Sequence, residues 1–221
     1  METEKKIGVK VPMKIKHAIV LTRAAIVAAL YVALTYALMS FSYGPIQIRI
    51  GEGLTMLPLL YPETVFALFL GCLLANLGSP YGAYDIGIGS VTTLLAAIAT
   101  FFIGKYVKNK PLKIILGGLP PVLFNAFLLP LMWLLFGLDA GYFANVLPIL
   151  GTQAIFVYAV GTPLYLLCDR LSAKGVKGFE VLPVFEYKKK TPDPEKGTAE
   201  TVNVEQENKE SENTEKDTDI K

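Results

Sequence analysis

Histidine and cysteine are nearly missing from this 221-residue chain, with one of the first and two of the second. His17 stands alone at the head of an apolar run, so a histidine-based triad or metal site has nothing to build on. Cys72 and Cys168 lie far apart in apolar stretches and read as small buried hydrophobes, with no CxxC or Cys/His cluster. There is no GxxxxGK[ST] run, so the chain carries no phosphate-binding loop of its own. No convincing internal repeat of the kind that builds many secondary transporters is visible. Lysine is absent from residue 18 to residue 104, where the charged side chains are Arg23, Arg49, Glu52, Glu63 and Asp85. These absences point away from an enzyme: no catalytic residues, no metal and no cofactor are expected, and no nucleic-acid partner is implied.

What is present is apolar surface. The chain is 52% hydrophobic and 18% charged, with a mean hydropathy of +0.45. That balance belongs to a membrane protein. The net charge of +2 is a sum of unlike parts, because the last 29 residues hold ten acids against four lysines. From about residue 186 the chain reads as a disordered acidic tail. The expected organisation is a basic segment over 1–17, a membrane domain over 18–170 and a cytoplasmic polar tail over 171–221. The first apolar run is too long for a signal-peptide core and no small-residue cleavage site ends it, so it is expected to be a retained span.

A helix needs roughly 20 apolar residues to cross ~30 Å of hydrocarbon. Residues 18–40, 86–104, 112–136 and 143–168 qualify. Residues 46–77 are apolar but are cut by Tyr61-Pro62-Glu63. Lysine placement decides how to read them. Clusters fall before residue 17, over 105–113 and after residue 168. All three lie on the cytoplasmic side only if residues 46–77 cross twice, as helices over 47–61 and 63–77. The expectation is therefore an all-α bundle of six transmembrane helices with both termini cytoplasmic. Pro62-Glu63 makes a suitable helix start, and Arg23 is placed to snorkel to the inner surface.

Ionisable and amide side chains at membrane depth are candidates for function. Arg49 and Glu52, at i and i+3 in IQIRIGEG, read either as an ion pair or as ligand contacts. A carboxylate can accept from an N–H/NH₂ edge such as that of guanine, and a guanidinium can donate to a carbonyl edge. Asn76, Asp85, Asn125 and Gln153 belong to the same outer half. Asp85 reads as a helix cap or a site carboxylate, and the two buried amides as interhelical hydrogen bonds or solute contacts. Tyr43, Tyr81 and Tyr84 flank that side, as an interfacial belt or as stacking partners for a planar ring. On the inner side, Ala24/Ala28 and Ala25/Ala29 are overlapping small-xxx-small pairs that let another helix approach.

The run SYGPIQIRIGEGLTMLPLLYPE over 42–63 resembles the signature of the queuosine-precursor transporter family. GCLLANL (71–77), YDIGIGSVTTLLAA (84–97), LPPVLFNA (119–126) and VGTPLYL (160–166) support it. The resemblance implies the substrate-binding S component of an energy-coupling factor transporter in a prokaryotic cell membrane. Such a component captures a 7-deazaguanine precursor of queuosine from outside. It then associates with a transmembrane coupling subunit and two ATPase subunits. On this resemblance Ala24, Ala25, Ala28 and Ala29 match the docking face, and residues 42–48 a loop that closes over the ligand. An aminomethyl group on the solute would suit Asp85. Alternatives are an S component for another small heterocycle or vitamin, and a solitary secondary transporter.

Overall fold

The computed structural model describes residues 13–43 and 46–181, with side chains from His17 onward. The basic N-terminal segment, Gly44, Pro45 and the acidic tail lie outside the described residues. Among the described residues every regular element is helical. Helix α1 spans Met13–Ala37 and is followed by a single turn, Met39–Ser42. A 3₁₀ segment occupies Ile50–Leu59. Helix α2 spans Thr64–Ala75. Helices α3 (Asp85–Tyr106), α4 (Lys110–Leu135) and α5 (Tyr142–Ala173) complete the bundle. Helices α1, α3, α4 and α5 are long and apolar enough to cross a membrane, and α2 is shorter. They match the four long apolar runs of the sequence to within a few residues.

Pairwise packing runs α1 on α2, α2 on α3, α3 on α4 and α4 on α5. The distribution of apolar side chains is that of a membrane protein. Leu21, Phe143 and Leu147 are 72%, 75% and 70% exposed, while Thr35, Thr55, Thr93 and Thr100 are buried. A water-soluble bundle would bury the first group and show the second.

The expected helix over 47–61 takes another form. Residues 47–49 have no regular structure, and the following ten residues coil as a 3₁₀ helix, with Gly51–Leu59 all buried. At ~2.0 Å per residue ten residues advance about 20 Å, as far as thirteen or so in an α-helix. The reason is crowding. The segment packs against all five numbered helices. A Cβ on Gly53 would stand 2.8 Å from a Val160 methyl, and one on Gly161 2.6 Å from the Gly53 carbonyl oxygen. A Cβ on Gly104 would stand 2.6 Å from the Leu59 carbonyl oxygen. A slimmer helix and facing glycines let a backbone pass through the middle of the bundle. Opposite Gly53, α5 widens into a π-helical stretch over Phe156–Gly161, the local adjustment expected where another chain presses into a helix.

The 3₁₀ segment joins two different ends of the bundle. Arg49, just before it, reaches Asn76 at the far end of α2. Tyr61, just after it, lies beside Arg23, whose guanidinium sits 4.0 Å above the Tyr61 ring. Arg23 does not snorkel freely. Its Nε lies 3.2 Å from Glu63 Oε1, with side-chain exposures of only 11% and 8%. Arg23 Nη2 also donates to the Glu180 carbonyl oxygen, and the Tyr61 hydroxyl to that of Phe179. Glu63 precedes α2 without a side-chain cap bond. Its carboxylate serves the ion pair instead of the helix dipole.

Candidate solute-binding site

At the Arg49 end the bundle holds a layer of buried polar groups. Glu52, in the first turn of the 3₁₀ segment, is fully buried. Its Oε1 accepts from the Tyr31 hydroxyl at 2.5 Å, and its Oε2 from Asn125 Nδ2 at 3.2 Å. Asn125 Nδ2 also reaches Gln153 Oε1 at 3.3 Å. Three separate elements, α1, the 3₁₀ segment and α4, thus meet on one carboxylate, and α5 joins them through Asn125. The expectation that Glu52, Asn125 and Gln153 come together holds geometrically. Tyr31 was not legible as a member, because a tyrosine inside an apolar span reads as ordinary core.

Arg49 and Glu52 do not form the ion pair that their i, i+3 spacing suggests. Among the described residues the ion pairs are Arg23–Glu63 and Lys110–Asp169. Arg49 is extended at φ −117° and ψ 93°, so it lies outside the helical register that would align the two side chains. Its Nε donates to the Ser42 carbonyl oxygen at 3.1 Å and its Nη2 to Asn76 Oδ1 at 3.0 Å. The guanidinium stands 5.1 Å from the centre of the Tyr43 ring, and the Tyr43 hydroxyl donates to the Ala75 carbonyl oxygen. Arg49 therefore staples the turn after α1 to the end of α2.

Asp85 is not a cap. Tyr84 precedes the helix, and the Asp85 carboxylate turns inward, where its Oδ2 accepts from the Ser79 hydroxyl at 2.5 Å. Asn76 Nδ2 donates to the Asp85 backbone oxygen at 2.7 Å, which ties this corner to Arg49. Tyr84 is 38% exposed and packs on Phe136, ring centres 4.6 Å apart. It sits on the rim and is not drawn into the buried layer. Tyr81 stacks on Trp133 at 4.7 Å.

Some buried polar atoms here have no hydrogen-bond partner: both amide atoms of Gln47, Asp85 Oδ1, Ser90 Oγ and Trp133 Nε1. Buried polar groups are nearly always satisfied. Several open donors and acceptors beside a buried carboxylate whose oxygens each accept one hydrogen bond suit a small polar heterocycle. Among the described residues no group of three His, Cys, Asp or Glu side chains could hold a metal ion.

Of the four α1 alanines expected to form a docking face, Ala28 is buried and Ala24 half-buried, while Ala25 and Ala29 are exposed. A Cβ on Gly71 of α2 would stand 3.1 Å from the Ala28 carbonyl oxygen. The Ala24/Ala28 pair therefore seats α2 within the bundle, and the Ala25/Ala29 pair faces outward beside Ile26 and Leu30.

The fold and this polar layer define a multi-helix membrane protein with an enclosed polar site. The QueT transporter family model matches residues 21–170, and the chain belongs to that family. That family is one of transporters. The Queuosine precursor transporter QueT of Lactococcus lactis subsp. cremoris (strain MG1363) is 40% identical over 73 residues, which cover 32% of this chain and 43% of that protein. The matched stretch is less than half the length of that relative. No solved structure matches the chain.

Proposed function

We propose that this protein captures a queuosine precursor of the 7-deazaguanine class at the Glu52–Asn125–Gln153 layer. It does so as the S component of an energy-coupling factor transporter. The observation that carries the reading is Glu52, a membrane-buried carboxylate held by Tyr31 and Asn125 with no cation bonded to it. An isolated buried charge is expensive. A base with an N–H/NH₂ edge would repay that cost, because each Glu52 oxygen retains a lone pair beyond the bond it already accepts. The relative's printed name and the family match support the same class of solute.

In this reading the chain crosses the membrane six times with both termini cytoplasmic, the 3₁₀ segment and α2 being the two short crossings. The polar layer opens outward. The exposed Ala25/Ala29 face of α1 receives the transmembrane coupling subunit, and two ATPase subunits supply the energy. Equilibrium binding of 7-aminomethyl-7-deazaguanine to the purified protein tests the capture step. Submicromolar affinity, displaced weakly by guanine, is expected. A folded preparation with no affinity for any 7-deazaguanine overturns the proposal. Uptake into liposomes by the chain alone would replace the S component with a solitary transporter.

A further inference from the structure

Gln47 is the residue whose structure is hardest to explain without a ligand. It is 1% exposed, and among the described residues neither Nε2 nor Oε1 has a hydrogen-bond partner. It is also the one non-glycine among the described residues with a positive φ, +46°. A left-handed conformation costs about 1–3 kcal/mol and persists where its surroundings impose it. An unpaired buried amide adds a cost of similar order.

The neighbours impose it. The Thr152 hydroxyl donates to the Ile46 carbonyl oxygen at 2.7 Å, and the Ile48 amide to that of Phe41 at 2.8 Å. Arg49 Nε holds the Ser42 carbonyl oxygen, and the Ser42 hydroxyl contacts that of Ile48 at 3.3 Å. Pinned on both sides, the stretch alternates: Ile46 is exposed, Gln47 buried, Ile48 half-buried, Arg49 buried. Gln47 and Arg49 thus share the inward face. On either side of Gln47 the chain is tied to α5, through Ile46 and Thr152, and to the end of α2, through Arg49 and Asn76. Arg49, the residue suited by charge to grip a solute carbonyl, spends its Nε and Nη2 on Ser42 and Asn76.

We infer that Gln47 is a specificity-determining contact of the site, its Nε2 donating to a ring carbonyl oxygen of the solute and its Oε1 accepting an N–H from the same molecule. The assignment rests on the proposed function and names the chemistry that the site selects: a heterocycle carrying a lactam-type carbonyl. Glu52 takes the N–H/NH₂ edge and Gln47 the carbonyl. A ligand lacking that oxygen leaves the Nε2 donor unpaired in a dry site, which is the arrangement that discriminates most sharply.

The test compares 7-aminomethyl-7-deazaguanine with its analogue in which the ring carbonyl oxygen is replaced by sulfur, a much weaker acceptor that keeps the neighbouring N–H, on wild type, Gln47→Gly and Gln47→Leu. Wild type should prefer the carbonyl compound by at least about tenfold. In Gln47→Gly the preference should fall to within about threefold. The same variant should melt at an equal or higher temperature, because glycine relieves the positive φ. A residue needed only for folding gives the opposite: a lower melting temperature with the preference intact. Gln47→Leu should lose the preference as well. Full preference retained in a folded Gln47→Gly or Gln47→Leu protein overturns the inference and leaves the proposed function standing. A wild type that binds neither compound overturns both.

Discussion

The two ends of this bundle both bury charge, but they treat it differently. At the Tyr61 end Arg23 and Glu63 face each other at 3.2 Å, Tyr61 lies under the guanidinium, and the chain around Phe179–Glu180 is bonded over them. Opposite charges meet, and the arrangement fastens α1, the start of α2 and the segment after α5. At the other end Arg49 and Glu52 are three residues apart yet bond to different partners. Glu52 is surrounded by neutral donors, and Gln47, Asp85, Ser90 and Trp133 keep polar atoms without a hydrogen bond; such atoms also occur on Arg23, Glu63 and Glu180, but there the two charges face each other. Paired charge is what a structural joint requires. Separated charge beside open donors and acceptors is a cost that only a bound partner offsets. On the proposed function, the same residue types in one chain serve as a fastener at one end and a receptor at the other.

That contrast can be broken in order of expected effect. Glu52→Ala should weaken 7-deazaguanine binding by more than about a hundredfold in calorimetric titration, since the lost hydrogen bonds are charge-assisted. Asn125→Leu should cost about tenfold to fiftyfold in affinity, because it removes the amide that holds both Glu52 and Gln153. Arg23→Ala should destabilise the folded protein by about 1–3 kcal/mol, read as a lower melting temperature in detergent, and leave affinity within about threefold. Arg23→Ala and Glu63→Ala should be non-additive in a double-mutant cycle. Smallest of all is Lys110→Ala. Its partner Asp169 is one-third exposed and Lys110 about half, so the melting temperature should move by less than the equivalent of about 0.5 kcal/mol.

How much of this the sequence displayed follows the same division. The four long helices were legible because each is an apolar run of spanning length. Glu52, Asn125 and Gln153 were legible because polar side chains stand out against such runs. The 3₁₀ form of Ile50–Leu59 was not legible. It depends on how closely Val160, Gly161 and Gly104 approach from other helices, and no local pattern encodes those contacts. The separation of Arg49 from Glu52 follows from that geometry, since i, i+3 pairing presumes that both residues are helical. For Asp85 the sequence left a helix cap and a site carboxylate open, because it opens a helix; Ser79 and Asn76 draw it inward across a turn. Gln47 had one sequence signal, a polar residue between two isoleucines two positions before Arg49. Only the positive φ and the unpartnered amide give that signal weight.

The most direct measurement titrates 7-aminomethyl-7-deazaguanine into wild type, Glu52→Gln and Arg23→Ala, with a thermal melt recorded on each sample. The account predicts that Glu52→Gln loses affinity while keeping its melting temperature, and that Arg23→Ala lowers its melting temperature while keeping affinity. Affinity and melting temperature falling together in both variants would contradict it, making the Glu52 layer one more structural joint.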